Sequence, residues 1–165
     1  MFKKLLTPRS LCMSAVIAAL YAALTLLLAP ISYGPIQLRL SEALTLLPMV
    51  LPQAVPGLFV GCLIANLYTG MMTDIIFGSL ATLLAAAGTY LLRRKPVLAA
   101  ACPVISNGVI VGLVLSLSFN LPVALTMAEV AVGEIGAVVI GMLILGSLKR
   151  AKVDLTRLGK NMYSS

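Results

Sequence analysis

Hydrophobic residues run along this chain in long blocks. They show neither the alternation of a half-buried strand nor the single stripe of a surface helix. Six blocks stand out, at residues 11–29, 40–51, 55–68, 73–92, 97–119 and 122–148. A helix needs about 20 apolar residues to cross a bilayer, so the second and third blocks are short for a full span. Those two are expected to tilt, to begin in the preceding loops, or to cross only part of the membrane with irregular ends buried in protein. Proline and glycine punctuate the pattern. Pro30-Ile31-Ser32-Tyr33-Gly34-Pro35 forms a turn-rich connection, Lys95-Pro96 stops the fourth block and Asn120-Leu121-Pro122 divides the last two. Pro48, Pro52 and Pro56 are read as breaks between the second and third blocks. The pattern predicts an all-α integral membrane protein, a six-helix transmembrane bundle. It forms a single domain over residues 1–165, with 149–165 as a basic tail. The first block has the basic start of a signal peptide. Its apolar core runs for about 19 residues and ends without an A-x-A cleavage pattern, so a retained span is expected.

Composition narrows the function classes. The chain is 61% hydrophobic and 10% charged, against roughly 45–50% and 25% in soluble domains. A soluble domain of this size cannot hide that much apolar surface. The absence of histidine excludes histidine-based metal sites and Ser-His or Cys-His catalytic pairs. No nucleophile–base pair is visible, so an enzyme is not expected. No GxxxxGK[ST] stretch occurs, so ATP would not be hydrolysed here by a P-loop. Cys12, Cys62 and Cys102 lie far apart in apolar runs and read as reduced packing residues.

Charge then sets orientation. Placing both termini in the cytoplasm puts every one of the 12 basic residues except Arg39 on the cytoplasmic side, as the positive-inside rule requires. Topology and contact with anionic lipid account for the net charge of +7. Nucleic-acid binding is not needed to explain it.

Four acids interrupt the apolar blocks: Glu42, Asp74, Glu129 and Glu134. A charge at mid-bilayer costs about 2.5–3.5 kcal/mol on insertion scales, so such groups normally face a cavity or a partner. On the sixth block Glu129 lies roughly 10 Å and Glu134 roughly 18 Å from the outer side. Five residues of helix leave them about 140° apart, so one narrow face cannot hold both. Asn107 falls near the midplane of the fifth block and Asn66 near the outer end of the third. Asp74, at the start of the fourth, suits a helix N-terminus. Arg39 and Glu42 are three apart and positioned to pair with each other. Together these groups predict a recessed, outward-facing pocket with an acidic bias. Small residues carry a different signal. Ala15, Ala19 and Ala23, like Gly57-x-x-x-Gly61 and Gly108-x-x-x-Gly112, are spaced to let helices approach closely. The alanine ridge serves either internal packing or the docking of another membrane protein.

The stretch Gly34-Pro35-Ile36-Gln37-Leu38-Arg39-Leu40-Ser41-Glu42-Ala43-Leu44 has a familiar form. Pro56-Gly57-Leu58-Phe59-Val60-Gly61-Cys62, Ala65-Asn66 and Asp74-Ile75-Ile76-Phe77-Gly78-Ser79-Leu80-Ala81-Thr82-Leu83 continue it. In combination they resemble the QueT-type queuosine-precursor transporters, substrate-binding (S) components of energy-coupling factor importers. The resemblance implies six helices, cytoplasmic termini and capture of a 7-deazaguanine from outside. It also implies association with a transmembrane T component and two ATPase subunits, which would use the ATP; this chain would hold no cofactor. Ala15, Ala19 and Ala23 match the docking ridge of that group. A 7-deazaguanine presents N1–H and a 2-amino group side by side, and a carboxylate accepts both. Glu134 or Glu129 is expected on that edge, and Glu42 or Asp74 on a 7-aminomethyl group. Arg39, Gln37 or Asn107 would donate to the ring acceptors, with Asn66 nearby. Tyr33 and Tyr68 suit stacking or, more naturally, interfacial anchoring. The alternatives are an S component for another vitamin-like metabolite and a free-standing proton-coupled carrier.

Overall fold

The computed structural model describes residues 7–32 and 39–152. Gln37 and Tyr33 lie outside them, as does most of the basic tail. The described residues form helices and turns with no strand. Helix α1 (Pro8–Leu27) is followed by the single turn α2 (Ala29–Ser32) and by α3 (Leu40–Met49), a tight 3-10 coil. Next come α4 (Ala54–Thr69), α5 (Asp74–Leu91), α6 (Pro96–Phe119) and α7 (Val123–Arg150). Helices α1, α5, α6 and α7 are long and apolar enough to cross a membrane; α3 and α4 are shorter apolar helices. At about 2.0 Å per residue, α3 spans only about 20 Å.

Local chemistry sets the ends. Thr7 caps α1, its hydroxyl accepting from the Ser10 N–H at 3.3 Å, and Pro8 opens the first turn. Gly70 (φ 68°) ends α4 and Asn120 (φ 53°) ends α6 in the left-handed conformation. Two prolines do not break the chain as expected. Pro48 lies inside α3 and Pro56 in the first turn of α4, where the missing N–H has no intrahelical partner to lose. Pro103 lies inside α6 and frees the carbonyl of Ala99; the Thr89 hydroxyl of α5 donates to that carbonyl at 3.1 Å. In a bilayer, where no water can serve, such a substitute partner is what allows the proline. Helix α5 opens with a wide π turn over Asp74–Gly78 before becoming regular at Ser79.

Small residues set the packing. A Cβ on Gly57 would stand 2.6 Å from the Ser14 carbonyl oxygen, and one on Gly61 2.7 Å from that of Ala18. Helices α1 and α4 therefore run parallel with backbones nearly touching. Gly112 of α6 meets Met127 of α7, and Gly141 of α7 meets Ala43 of α3, equally closely. The inward face of α1 is Ile17, Ala18, Tyr21 and Ala22, whereas Ala15, Ala19 and Ala23 lie exposed on its other side. Around the whole bundle the exposed surface is apolar: Val16, Leu84, Ile105, Leu117, Val132 and Leu143 are all more than 50% exposed. Successive helices reverse direction. Arg9, the Arg93-Arg94-Lys95 turn and Lys149-Arg150 thus gather at one end, and Arg39 and Asp74 lie at the other.

Candidate functional site

Polar side chains of six helices, α1 and α3 to α7, meet inside the bundle. Arg39 stands in extended backbone just before α3, and its Nη2 donates to Asp74 Oδ2 at 3.2 Å. Both side chains are about 5% exposed. Arg39 therefore pairs with an acid 35 positions away rather than with Glu42. Asp74 sits inside the π turn as an ion-pair partner; its own N–H is bonded to the Met71 carbonyl. Asn66, near the C-terminal end of α4, is fully buried. Its amide donates to the Asp74 carbonyl at 3.0 Å and tethers the wide turn to α4.

Deeper in, Glu42 of α3 is buried. Its Oε1 accepts from the Tyr21 hydroxyl of α1, and the Thr82 hydroxyl of α5 lies 3.3 Å from the same oxygen. Thr82 also approaches Cys62 Sγ at 3.2 Å. Beside Glu42, the Asn107 amide of α6 donates to Glu134 Oε1 of α7 at 2.8 Å. Glu134 is 11 residues into its helix, about 16 Å from that helix's start.

Arg39, Glu42, Thr82, Asn107 and Glu134, with Val111 and Val130, line one cavity of about 10 Å³. That is room for about one water molecule. Three buried acceptor atoms on this wall have no hydrogen-bond partner among the described residues: Glu42 Oε2, Glu134 Oε2 and Asn107 Oδ1. With the Arg39 guanidinium on the same wall, the cavity presents acceptors together with a donor.

Of the candidate site residues, the structure brings Arg39, Glu42, Asn107 and Glu134 together, with Asp74 holding Arg39 and Asn66 behind Asp74. Glu129 is only half-buried and does not line the cavity. The rotation along α7 that separates it from Glu134 is the physical reason. Gln37 lies outside the described residues. Tyr21 and Thr82 went unread as site residues. Both sit in apolar runs, and a hydroxyl there carries no charge to flag it. Thr82 can also bond within its own helix, to the Gly78 carbonyl at 3.2 Å.

Comparison with known proteins points the same way. The family model described as QueT transporter matches residues 11–150. A curated relative from Lactococcus lactis subsp. cremoris (strain MG1363) is named "Queuosine precursor transporter QueT". It is 32% identical over 158 residues, covering 87% of this chain and 93% of the relative. No solved structure matches. The match runs from α1 to the end of α7 and so includes every helix that builds the cavity; the chain belongs to the QueT transporter family.

Proposed function

We propose that this chain is the membrane-embedded capture subunit of an importer, binding a queuosine precursor of the 7-deazaguanine class from outside the cell. Family membership and the relative's name support a queuosine precursor as cargo. The observation that carries the site is the set of partnerless acceptors on Glu42, Glu134 and Asn107 in one buried cavity. Adjacent N1–H and 2-amino donors of a guanine-like edge fit the Glu134 carboxylate, and an added amine fits Glu42. The Arg39 guanidinium supplies donors for ring acceptors. The cavity must widen to admit a base, so binding shifts the bundle toward a more open state.

The basic end faces the cytoplasm in this reading, with six crossings and Arg39–Asp74 toward the outside. Transport runs through partners: a transmembrane T component docking on the exposed Ala15, Ala19 and Ala23, and two ATPase subunits. The chain itself carries no cofactor, and its place is the cell membrane.

Calorimetry on the purified chain in detergent tests the capture step. Queuine, 7-aminomethyl-7-deazaguanine, 7-cyano-7-deazaguanine and guanine are titrated in turn. Tight binding of a deazaguanine is expected, weakened about 100-fold in Glu134→Gln by loss of a charge-assisted hydrogen bond. Folded protein that binds none of them would overturn the reading and favour another metabolite.

A further inference from the structure

Glu42 and Glu134 enter the cavity from α3 and α7, and Asn107 of α6 stands beside both. Their open positions are all acceptors. The cation on the wall, Arg39, is held by Asp74 at 3.2 Å and also acts on both acids, so one positive charge stands against three carboxylates. The titratable and charged groups around the two acids are few. Tyr21 comes from α1, Arg39 from the flank of α3, Cys62 from α4 and Asp74 from α5; α6 offers only the neutral Asn107 amide. Two ionised carboxylates would thus face each other, and a third acceptor, in a space holding about one water molecule. Buried charge without a partner is strongly disfavoured, and acceptors facing acceptors leave lone pairs unsatisfied. One proton eases both problems, because it leaves a single carboxylate and turns one acceptor into a donor that can bond it.

We propose that before capture the cavity holds one proton, shared between Glu42 and Glu134, and that a ligand's ammonium group displaces it. The inference rests on the cavity being the ligand site, as read above. In the exchange a carboxyl O–H bond breaks and the proton leaves to water. An N–H···O bond from the ligand's cation to the carboxylate forms in its place. One positive charge enters and one leaves, so the buried charge is unchanged. The ligand class that performs this exchange is a heterocyclic base carrying a primary ammonium group. A neutral ligand of the same shape leaves the proton where it is.

Two measurements on the full chain in detergent test this. The first is infrared spectroscopy without ligand at neutral pH. A protonated-carboxyl C=O band is expected, and it should weaken in Glu134→Gln or in Glu42→Gln. Absence of the band, or a band unchanged in both variants, would overturn the resident proton. The second is calorimetry at one pH in phosphate and in Tris, which differ in ionisation enthalpy. With 7-aminomethyl-7-deazaguanine the two observed enthalpies should differ by the equivalent of about one released proton. With 7-cyano-7-deazaguanine they should agree. Equal enthalpies for the aminomethyl compound would overturn the exchange while leaving capture intact. Failure of every deazaguanine to bind would overturn the site reading instead, and the infrared band then decides the proton alone.

Discussion

At the scale of single residues, the Arg39–Asp74 pair is the most exposed to test. It ties the start of α3 to the start of α5 with both partners out of solvent. Removing one member of a buried pair leaves the other charge uncompensated, at a cost of about 3–5 kcal/mol. Arg39→Gln should therefore lower thermal stability in detergent sharply. The double variant Arg39→Gln, Asp74→Asn should recover most of the loss, because the orphaned charge is gone. A double variant no more stable than the single would show that the pair is not coupled. This partnership was not legible in the sequence. Helical spacing favoured Glu42 as the partner of Arg39, but Glu42 turns inward to Tyr21. Glu134 and Asn107 were legible, because a carboxylate and an amide deep in apolar runs must find each other or a cavity. Tyr21 and Thr82 were not, since hydroxyls in such runs cost little and satisfy themselves locally.

Among the helices, the glycines divide by what faces them. Gly61 lies against the Ala18 backbone, and a methyl there would stand 2.7 Å from a carbonyl oxygen. Gly146, on the same kind of apolar helix, has nothing within 4 Å. Gly61→Ala should force α1 and α4 apart and destabilise by about 1–3 kcal/mol. Gly146→Ala should be neutral or slightly stabilising through its better helix propensity. Unfolding curves of the two variants side by side check this, and equal loss in both would mean that close approach is not what Gly61 provides. The four long helices and the shorter α3 and α4 were legible as apolar blocks, and the small-residue spacing marked Gly57, Gly61 and Gly112 correctly as contact points. The 3-10 winding of α3 and the π turn of α5 were not, because both follow from the bonds available to backbone carbonyls in the packed bundle.

For the molecule as a whole, helix α1 presents two different faces. Tyr21 points inward to the cavity acid Glu42, while Ala15, Ala19 and Ala23 are exposed and flat. If the flat face docks a T component, Ala19→Leu with Ala23→Leu should prevent co-purification of the assembled importer. Ligand binding by the isolated chain should stay within a few-fold, because neither side chain lines the cavity. Intact assembly in that variant would reassign the ridge to lipid contact.

The π turn at the head of α5 bears on how such chains can change length. Asp74 and Thr82 both reach the cavity region although they are eight residues apart, which would leave them about 80° apart on a regular helix. The wide turn over Asp74–Gly78 absorbs the extra residue. Removing one residue there, such as the exposed Ile76, would leave a spacing of seven, and the two side chains would still share a face. Removing Leu84 instead would turn Thr89 about 100° away from the carbonyl it serves below Pro103. Deletion of Ile76 should therefore preserve ligand binding where deletion of Leu84 abolishes it. Natural gains and losses of single residues in α5 should then collect within these five positions.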